Sequence, residues 1–408
     1  MKIYLVGGAV RDRLLGYSIK ERDWVVVGST PEEMLSEGFK QVGRDFPVFL
    51  HPKTHEEYAL ARTERKIASG YYGFQCDCSP NVTLEADLLR RDLTINAMAM
   101  DPDGRLIDPY HGEQDLQKKV LRHVSLAFAE DPVRILRVAR FLARYHHLGF
   151  TLAEETRMLM AELVRQGEMQ QLVAERVWQE WQRSLEEKDP HCFITALRSC
   201  GALQVVLPEL DVLFGIPNRP TSHPEIDTGV HTLMVLQKAS RLTPDPLVRF
   251  AAVLHDLGKA CTSIHAWPRH DSHDEQGVML IRMLCERLRI PVDYRNIAVL
   301  VARYHLKIHR IKAASAVTLV QTLLQVDAFR RGMLFEKLLL ACEADASLSD
   351  NLIAYLPAQQ WREILDVCKG ITTQSLIAKG YQGEAIKAGL QQLRVDAVRA
   401  YLRKQNET

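Results

Sequence analysis

Around Leu126 the hydrophobic pattern changes its period, and that change sets the architecture available to the chain. Before it, short apolar runs alternate with turn glycines and brief amphipathic stretches. Ile3–Val6, Trp24–Val27, Phe46–His51 and Glu57–Ala61 have the length and β-rich content of strands. Between them, Ala9–Leu15 is amphipathic, and Pro31 opens a helix that Thr30 is placed to cap. After Leu126 the apolar residues recur at helical spacing over Asp131–Tyr145, Ala153–Gln166 and Ala174–Leu185. They do so again over Thr232–Ala239, Leu247–Leu257, Asp274–Leu288, Tyr294–Lys307 and the segment from Ala314. Pro208, Pro217, Pro220 and Pro224, with Gly215, mark a loop-rich junction. Strands gathered at one end and helices at the other predict an α+β chain: a head with a mixed sheet, then an all-α body. At 408 residues the chain exceeds what one core normally holds. The expected divisions are a head over 1–125, a helical neck over 126–210, a second helical module over 225–330 and a helical tail over 331–408.

Bulk charge announces no nucleic-acid ligand. Lys and Arg total 52 against 51 for Asp and Glu, so any such partner must meet local basic patches. The 8 cysteines show no metal-site pairing, and the N-terminus has no signal pattern. No apolar run approaches the ~18 residues of a membrane span. A cytoplasmic protein without membrane partners, a monomer or weak homodimer, is the expectation.

Four features of the first 116 residues point to phosphate and metal chemistry. Gly7-Gly8-Ala9-Val10-Arg11-Asp12 follows a strand and opens a helix, so its backbone can approach an anion that Arg11 also reaches. Glu21 and Asp23 lie two apart at the start of a strand, which directs both carboxylates to one face. Arg90-Arg91-Asp92-Leu93-Thr94-Ile95-Asn96-Ala97-Met98-Ala99 supplies paired guanidinium groups, with an apolar helix expected behind them. In it, Asp92 is expected to hold the loop and Asn96 to touch a ribose. Asp108 to Gly112, with Asp115, reads as a turn and helix cap.

Glu130-Asp131-Pro132-Val133-Arg134, continued by Arg137 and Arg140, is the most informative stretch. Asp131 and Arg134 are expected as neighbours on one helical face. Cytosine and adenine each present an exocyclic amine beside a ring-nitrogen acceptor, an edge that a carboxylate and a guanidinium match. Uracil and guanine place a carbonyl where the amine was, and a mismatched buried acceptor is costly.

In this order these strings resemble the class II CCA-adding enzyme and bacterial poly(A) polymerase family of the DNA polymerase β superfamily. The resemblance implies a polymerase-β-like nucleotidyltransferase head that extends the 3′ end of tRNA from CTP and ATP. It implies that Glu21 and Asp23 hold Mg²⁺, that Gly8, Arg11 and Arg91 bind the incoming nucleotide, and that Asp131 and Arg134 select the base. Arg137 and Arg140 are expected on the triphosphate. One departure is visible: the family's acid pair is Asp-x-Asp, and Glu21 stands first here. No third carboxylate is identifiable.

A second constellation consists of His231, His255-Asp256-Leu257-Gly258-Lys259, His270, His273 and His305. Seven of the 15 histidines lie between 231 and 309, a density that favours metal binding over scattered structural roles. The pattern resembles the HD metal phosphohydrolase superfamily. On that resemblance His231, His255 and Asp256 hold a divalent transition metal, with Ni²⁺ the candidate, and His255 and Asp256 are catalytic. His273, His305 and Asp345 are further candidate ligands. Head and HD module together resemble multifunctional bacterial members of the family. Those members imply phosphatase, 2′-nucleotidase and 2′,3′-cyclic phosphodiesterase activity in the HD part. Lys118, Lys119, Arg122, Lys307, His309, Arg310, Lys312, Lys387 and Arg394 are candidate RNA contacts. Two alternatives stay open: a poly(A) polymerase, and an HD hydrolase with a non-catalytic nucleotide-binding head.

Overall fold

A computed structural model describes residues 1–19, 21–42, 48–66, 74–218, 227–346 and 355–407. Pro220, Pro224 and the first residues of the expected Phe46–His51 strand lie outside them. The chain divides into two units, Met1–Val206 and Leu207–Thr408.

The first unit begins with β1 (Lys2–Val6), α1 (Gly8–Leu14), β2 (Asp23–Val27), α2 (Pro31–Ser36), β3 (Lys40–Val42), β4 (Val48–Leu50) and β5 (Glu57–Leu60). Next come a hairpin of β6 (Thr63–Lys66) and β7 (Phe74–Asp77), then α3 (Leu84–Leu89), β8 (Ala99–Met100), β9 (Leu106–Ile107) and α4 (Gly112–Lys118). Seven strands form one sheet in the order β3-β4-β5-β2-β1-β8-β9. It is mixed: β2 pairs with β5 in parallel and with β1 antiparallel. Alternation along β2 divides the core, because successive side chains leave opposite faces of a strand. Val25 joins Val6, Leu88, Ala97 and Ala99 on one side, while Val26 joins Met34, Phe49, Tyr58 and Leu60 on the other. The Thr30 hydroxyl accepts from the Glu33 amide while the Glu33 carboxylate accepts from the Thr30 amide, a reciprocal cap worth about 1 kcal/mol.

One expected helix is not there. After Arg91 the chain makes only a short 3-10 turn, Thr94–Asn96, and then enters β8. The apolar run Ala97 to Met100 is continuous because it is buried on all sides, a pattern that a buried strand and a helix share. Asp108 accepts from the Gly112 and Glu113 amides and caps α4, as its position implied.

The rest of the first unit is helical, apart from the two-residue strands β10 (Val120–Leu121) and β11 (Thr151–Leu152). The helices are α5 (Val133–Tyr145), α6 (Glu154–Arg165), α7 (Ala174–Glu186), α8 (His191–Ser199) and α9 (Ala202–Val206). α5 packs against α7 and α8.

In the second unit the regular elements among the described residues are all helical. They are α10 (Pro208–Asp211), α11 (Thr228–Leu242), α12 (Pro246–Leu254), α13 (His273–Arg287), α14 (Val292–His309), α15 (Ala316–Gln325), α16 (Gly332–Ala346), α17 (Leu356–Lys369), α18 (Gln374–Ala378) and α19 (Glu384–Glu407). α14 lies against α12, α13 and α16, and α11 against α12 and α16. The histidine-rich segments therefore face one another. No described helix is long and apolar enough to cross a membrane.

Candidate functional site

A cleft of 590 Å³ in the first unit is lined by nine arginines and only four carboxylates. In a chain whose formal charge is +1, that excess is a local anion site. Gly7 and Gly8 form part of its wall. Gly7 has φ +66, and a Cβ there would stand 2.9 Å from Nη1 of Arg91, so the backbone conformation and the closeness of the guanidinium both call for glycine.

The arginines are anchored from behind. Arg11, 3% exposed, donates to Asp12 at 2.8 and 2.9 Å and to Oδ1 of Asn96 at 2.5 Å; its guanidinium also lies over the rings of Phe141 and Tyr145. Asn96 in turn donates to Asp92 at 3.0 Å, so it ties the first and third motifs together. Arg90 and Arg91 share the buried carboxylate of Asp87 at 2.9 and 3.1 Å. Arg137 donates to Asp92 at 2.8 Å. Burial opposes charge on Asp92, but Arg137, Asn96 and the Leu93 amide hold its carboxyl well below the usual range. Arg140 donates to Glu180 at 2.6 Å. Each cation thus arrives oriented and already desolvated in part.

The acid pair sits at the mouth of β2. Partial desolvation raises the Asp23 carboxyl above its ordinary value; Arg91 opposes this and Glu21 adds to it, which places Glu21 close enough to repel. Across the parallel register Asp23 stands opposite Glu57, and both line the cleft. Carboxylates gathered there suit a hard, oxygen-seeking cation such as Mg²⁺. Glu21 does not line the cleft itself.

Asp131 and Arg134 meet at the start of α5, where the Arg134 amide donates to the Asp131 carbonyl at 3.0 Å, although Asp131 itself lies just outside the helix. Asp131 has extended backbone just before α5, since Pro132 starts the helix. Its carboxylate accepts from the Val133 amide at 3.1 Å and from both Arg176 amino groups at 3.1 and 2.7 Å. Arg134 donates to the Ala127 carbonyl at 2.7 Å. Both still line the cleft.

In the second unit, His231, His255 and Asp345 form one buried group, and Asp256, His273 and His305 another. The backbone fixes three of the rings. Nδ1 of His255, His273 and His305 donates to the carbonyls of Ala252, His270 and Ala302 at 2.8, 2.7 and 2.9 Å. A carbonyl only accepts, so each neutral ring keeps its lone pair on Nε2. Burial, helped by His255, pushes His305 down to about 3, the neutral state of a metal ligand. Nε2 of His255 makes no hydrogen bond among the described residues, although oxygens of Asp256 and Asp345 stand 3.2 and 3.4 Å away. Burial opposes charge on the His255 ring, but Asp256 and Asp345 raise its pKa well above the ordinary value, so the pocket favours positive charge at this point, carried by the ring's proton or by a metal ion. Nε2 of His231 lies 3.1 Å from Asp345 and 3.8 Å from Asp256. Tetrahedral ligands at ~2.1 Å from a metal stand roughly 3.4 Å apart, and the four donors bracket that spacing.

Residues 3–122 match the family described as the poly A polymerase head domain, and residues 228–354 match the HD domain. Residues 149–214 match "Probable RNA and SrmB- binding site of polymerase A". A multifunctional CCA protein of Legionella pneumophila is 63% identical over 398 residues, covering 98% of this chain and 97% of the relative. The chain belongs to the multifunctional CCA protein family. A family member from Vibrio cholerae is 54% identical over 402 residues, covering 98% of this chain and 100% of its own. The fold is also shared with the Thermotoga maritima CCA-adding enzyme complexed with tRNA, at TM-score 0.61 and 23% identity over 97% of this chain and 86% of that one. The Bacillus stearothermophilus CCA-adding enzyme in complex with CTP gives TM-score 0.62 at 20% identity, over 99% of this chain and 93% of that one.

In this member of the multifunctional CCA family, the cleft brings together Gly8, Arg11, Asp23, Arg91, Asp131, Arg134, Arg137 and Arg140. Sequence reasoning missed Glu57, whose only signal is an acidic start to a strand that pairs beside Asp23. It also missed Arg176, for which 45 residues of separation from Asp131 left no local trace. Several candidate RNA contacts have other partners. His309 bonds Asp345 at 2.8 Å and Tyr355 at 2.6 Å, and Arg394 covers the Phe329 ring. Arg122 is tied to Asp115 and Glu155.

The Arg140–Glu180 pair is nearly dry, with side chains 10% and 6% exposed. Removing one partner of such a pair typically costs about 3–5 kcal/mol. Glu180→Ala is expected to lower the first unit's unfolding free energy by about 3 kcal/mol, and Glu180→Gln by less. Denaturant titration checks both values; equal stability of Glu180→Ala and the wild type would show that Glu187, 3.8 Å from Arg140, already neutralises it.

Proposed function

We propose that the first unit adds and repairs the 3′-terminal CCA of tRNA from CTP and ATP, without a nucleic-acid template. One observation carries this: a single cleft is lined together by the carboxylates of Asp23 and Glu57, by the clamped Asp131 with Arg134, and by anchored arginines. Glu21 and Asp23 would hold Mg²⁺, with Glu57 as a third acid in reach of the same site. An ion held by these carboxylates would supply the positive charge that activates the tRNA 3′ hydroxyl and offsets charge developing on the α-phosphate and pyrophosphate. Gly8 and the arginines at 11, 91, 137 and 140 hold the triphosphate in line, with positioning and charge supplying most of the catalysis. Residues 126–210 carry the base-recognising segment and the neck.

Asp131 keeps free lone pairs beyond those given to Arg176 and Val133, and these accept the exocyclic amine of cytosine or adenine. Arg176 acts through Asp131 and is a positioning residue. Arg176→Met is expected to lower kcat/KM for CTP and ATP by about 10- to 100-fold, the worth of a charged hydrogen-bonded contact. The preference over UTP should narrow, and Arg176→Lys should restore part of it. Steady-state incorporation of each NTP measures this; unchanged discrimination would remove Asp131 from base selection.

The second unit is proposed as an HD phosphohydrolase with phosphatase, 2′-nucleotidase and 2′,3′-cyclic phosphodiesterase activity. His231, His255, Asp256 and Asp345 would hold a transition metal such as Ni²⁺, whose chemistry is to lower the pKa of water for attack on phosphorus. His309, bonded to Tyr355, orients Asp345. His255→Ala is expected to abolish hydrolysis and spare addition.

The test of the whole reading is a tRNA transcript lacking its last three nucleotides, incubated with Mg²⁺ and each NTP singly and together. Two additions from CTP and a third only with ATP support it. A ladder from ATP alone would make the chain a poly(A) polymerase. No extension would leave the head a binding module.

A further inference from the structure

We propose that Cys76 and Cys78 are a modification site: hydrogen peroxide joins them in a reversible disulfide that slows nucleotide addition in the cleft. Formation of the bond is independent of the transferase reading, and its effect on addition rests on that reading. Of the 8 cysteines, Cys192, Cys200, Cys285, Cys342 and Cys368 are buried and Cys261 is exposed. Cys76 and Cys78 are half-buried, with Sγ atoms 3.1 Å apart, the only thiol–thiol contact among the described residues. Cys76 lies in β7 and Cys78 follows its last residue. Residues two apart at a strand end share a face, which brings the sulfurs together.

The two thiols have different roles. Cys78 packs against the Val26, Phe49, Tyr58 and Leu60 core. Burial first, and then the hydrogen bond with Cys76, push its thiol up to about 12. Cys78 therefore keeps its proton at neutral pH, and Cys76 attacks as the thiolate. The Cys76 sulfur takes one oxygen from the peroxide, becomes a sulfenic acid and releases hydroxide. Cys78 then gives up its proton and attacks the Cys76 sulfur, and the sulfenic hydroxyl leaves with that proton as water. The two thiols lose two electrons and two protons, and one peroxide becomes two waters.

The bond deforms its strand. Residues two apart on a strand stand ~6.6 Å apart at Cα, above the usual ~5.5–6 Å of a disulfide, so closure shortens and bends the end of β7. Two routes carry that bend toward the cleft. Asp77, between the cysteines, pairs with Thr63 on β6. The residue before Thr63 is Arg62, which lines the cleft; its amide donates to Asp87 at 3.2 Å and its carbonyl accepts from Arg90 at 3.0 Å. The second route runs forward along the chain, where Thr83 caps α3 by accepting from the Ala86 amide at 3.2 Å. α3 carries Asp87, and Asp87 holds both Arg90 and Arg91. Both routes thus end on the carboxylate that orients the nucleotide-binding arginines. A misplacement of about 1 Å at such a site can cost on the order of 100-fold in rate.

The experiment uses full-length protein, reduced, freed of reductant, treated with hydrogen peroxide and then blocked with N-ethylmaleimide. Trypsin releases both cysteines in one peptide, residues 67–90, so the bond reads as a loss of two hydrogens with no maleimide attached. Addition to a truncated tRNA and retention of CTP are measured on the same samples. The oxidised peptide is expected to accumulate while addition falls about tenfold or more, and dithiothreitol should reverse both. Cys76→Ser and Cys78→Ser should add at the wild-type rate and ignore peroxide, with thermal melts verifying folding, whereas Cys261→Ser should stay sensitive. Both cysteines alkylated after peroxide, or one carried on to sulfinic acid, would overturn the disulfide. A disulfide that leaves addition and CTP retention unchanged would overturn its effect on the cleft. Untreated protein that retains CTP but extends no tRNA would sink the transferase reading instead, and the peptide mass with CTP retention would still decide the switch.

Discussion

Asp23→Asn is expected to slow CMP and AMP addition by about a thousandfold, equivalent to roughly 4 kcal/mol of transition-state stabilisation. The side chain keeps its shape, so the loss isolates charge. Asp23 stands where β2 leaves the core: Val25 and Val26 are buried while Asp23 still meets solvent. Its neighbours Glu21 and Glu57 cannot replace it, because Glu21 precedes the strand and Glu57 belongs to the adjacent one. The raised pKa of Asp23 means that acid inhibits its ionised form earlier than for a free carboxyl. Activity should therefore begin to fall at a higher pH than a solvent-exposed aspartate would dictate, and added Mg²⁺ should move that limb downward. Single-turnover incorporation on a truncated tRNA measures the effect. Hydrolysis by the second unit should be unchanged, since its ligands all lie beyond Leu207. A variant that retains a tenth or more of wild-type addition would move the principal metal contact to Glu21 or Glu57.

Gly258→Ala should be the most damaging one-carbon change in the second unit. The added Cβ would fall 1.8 Å from the His273 carbonyl oxygen and 2.5 Å from the Gly277 amide nitrogen, and both are backbone atoms that no rotamer change can move. Overpacking commonly costs 1–3 kcal/mol, and a clash with two backbone segments belongs at about 3 kcal/mol or above. For a unit of this size each kcal/mol shifts melting by roughly 2–4 °C, so a drop of about 6–12 °C is expected. Metal-dependent hydrolysis should disappear, because His273 cannot both retreat and stay on Asp256. CCA addition should persist. Gly332→Ala is the control: nothing lies within 4 Å of its Cβ position and its backbone is not left-handed, so neither melting nor hydrolysis should change. Full hydrolysis in Gly258→Ala would show that α13 can withdraw without disturbing the ligands.

The head's motifs were legible because each is short and its residues act near one another in the chain. Gly7-Gly8, the Glu21/Asp23 pair and Arg90-Arg91 owe their geometry to a strand end or a turn, which local sequence encodes. The helix expected behind Arg91 was misread because a fully buried segment loses its period, and the chain there makes a turn and a strand. The clamp on Asp131 was not legible for a different reason. Pro132 takes Asp131 out of the helix, and α7 supplies its partner from 45 residues away.

By itself the sequence singled out the groups proposed to carry chemistry: an acid pair, a family of arginines, one adjacent His-Asp, and a histidine-rich segment. It also determined that strands come first and helices after, through hydrophobic period alone. Tertiary structure decided how those groups are paired. Glu57 reaches Asp23 only because β5 lies parallel to β2, and Arg137 is oriented by Asp92 across a gap of 45 residues. In the second unit, α11, α13, α14 and α16 bring their side chains around Asp256, two residues past the end of α12. That packing gives one oxygen to His231 and His255 and the other to His273 and His305. Ligand spacings of a few ångströms depend on where helices cross, and the helices cross where buried side chains of distant segments interlock. No local string records that.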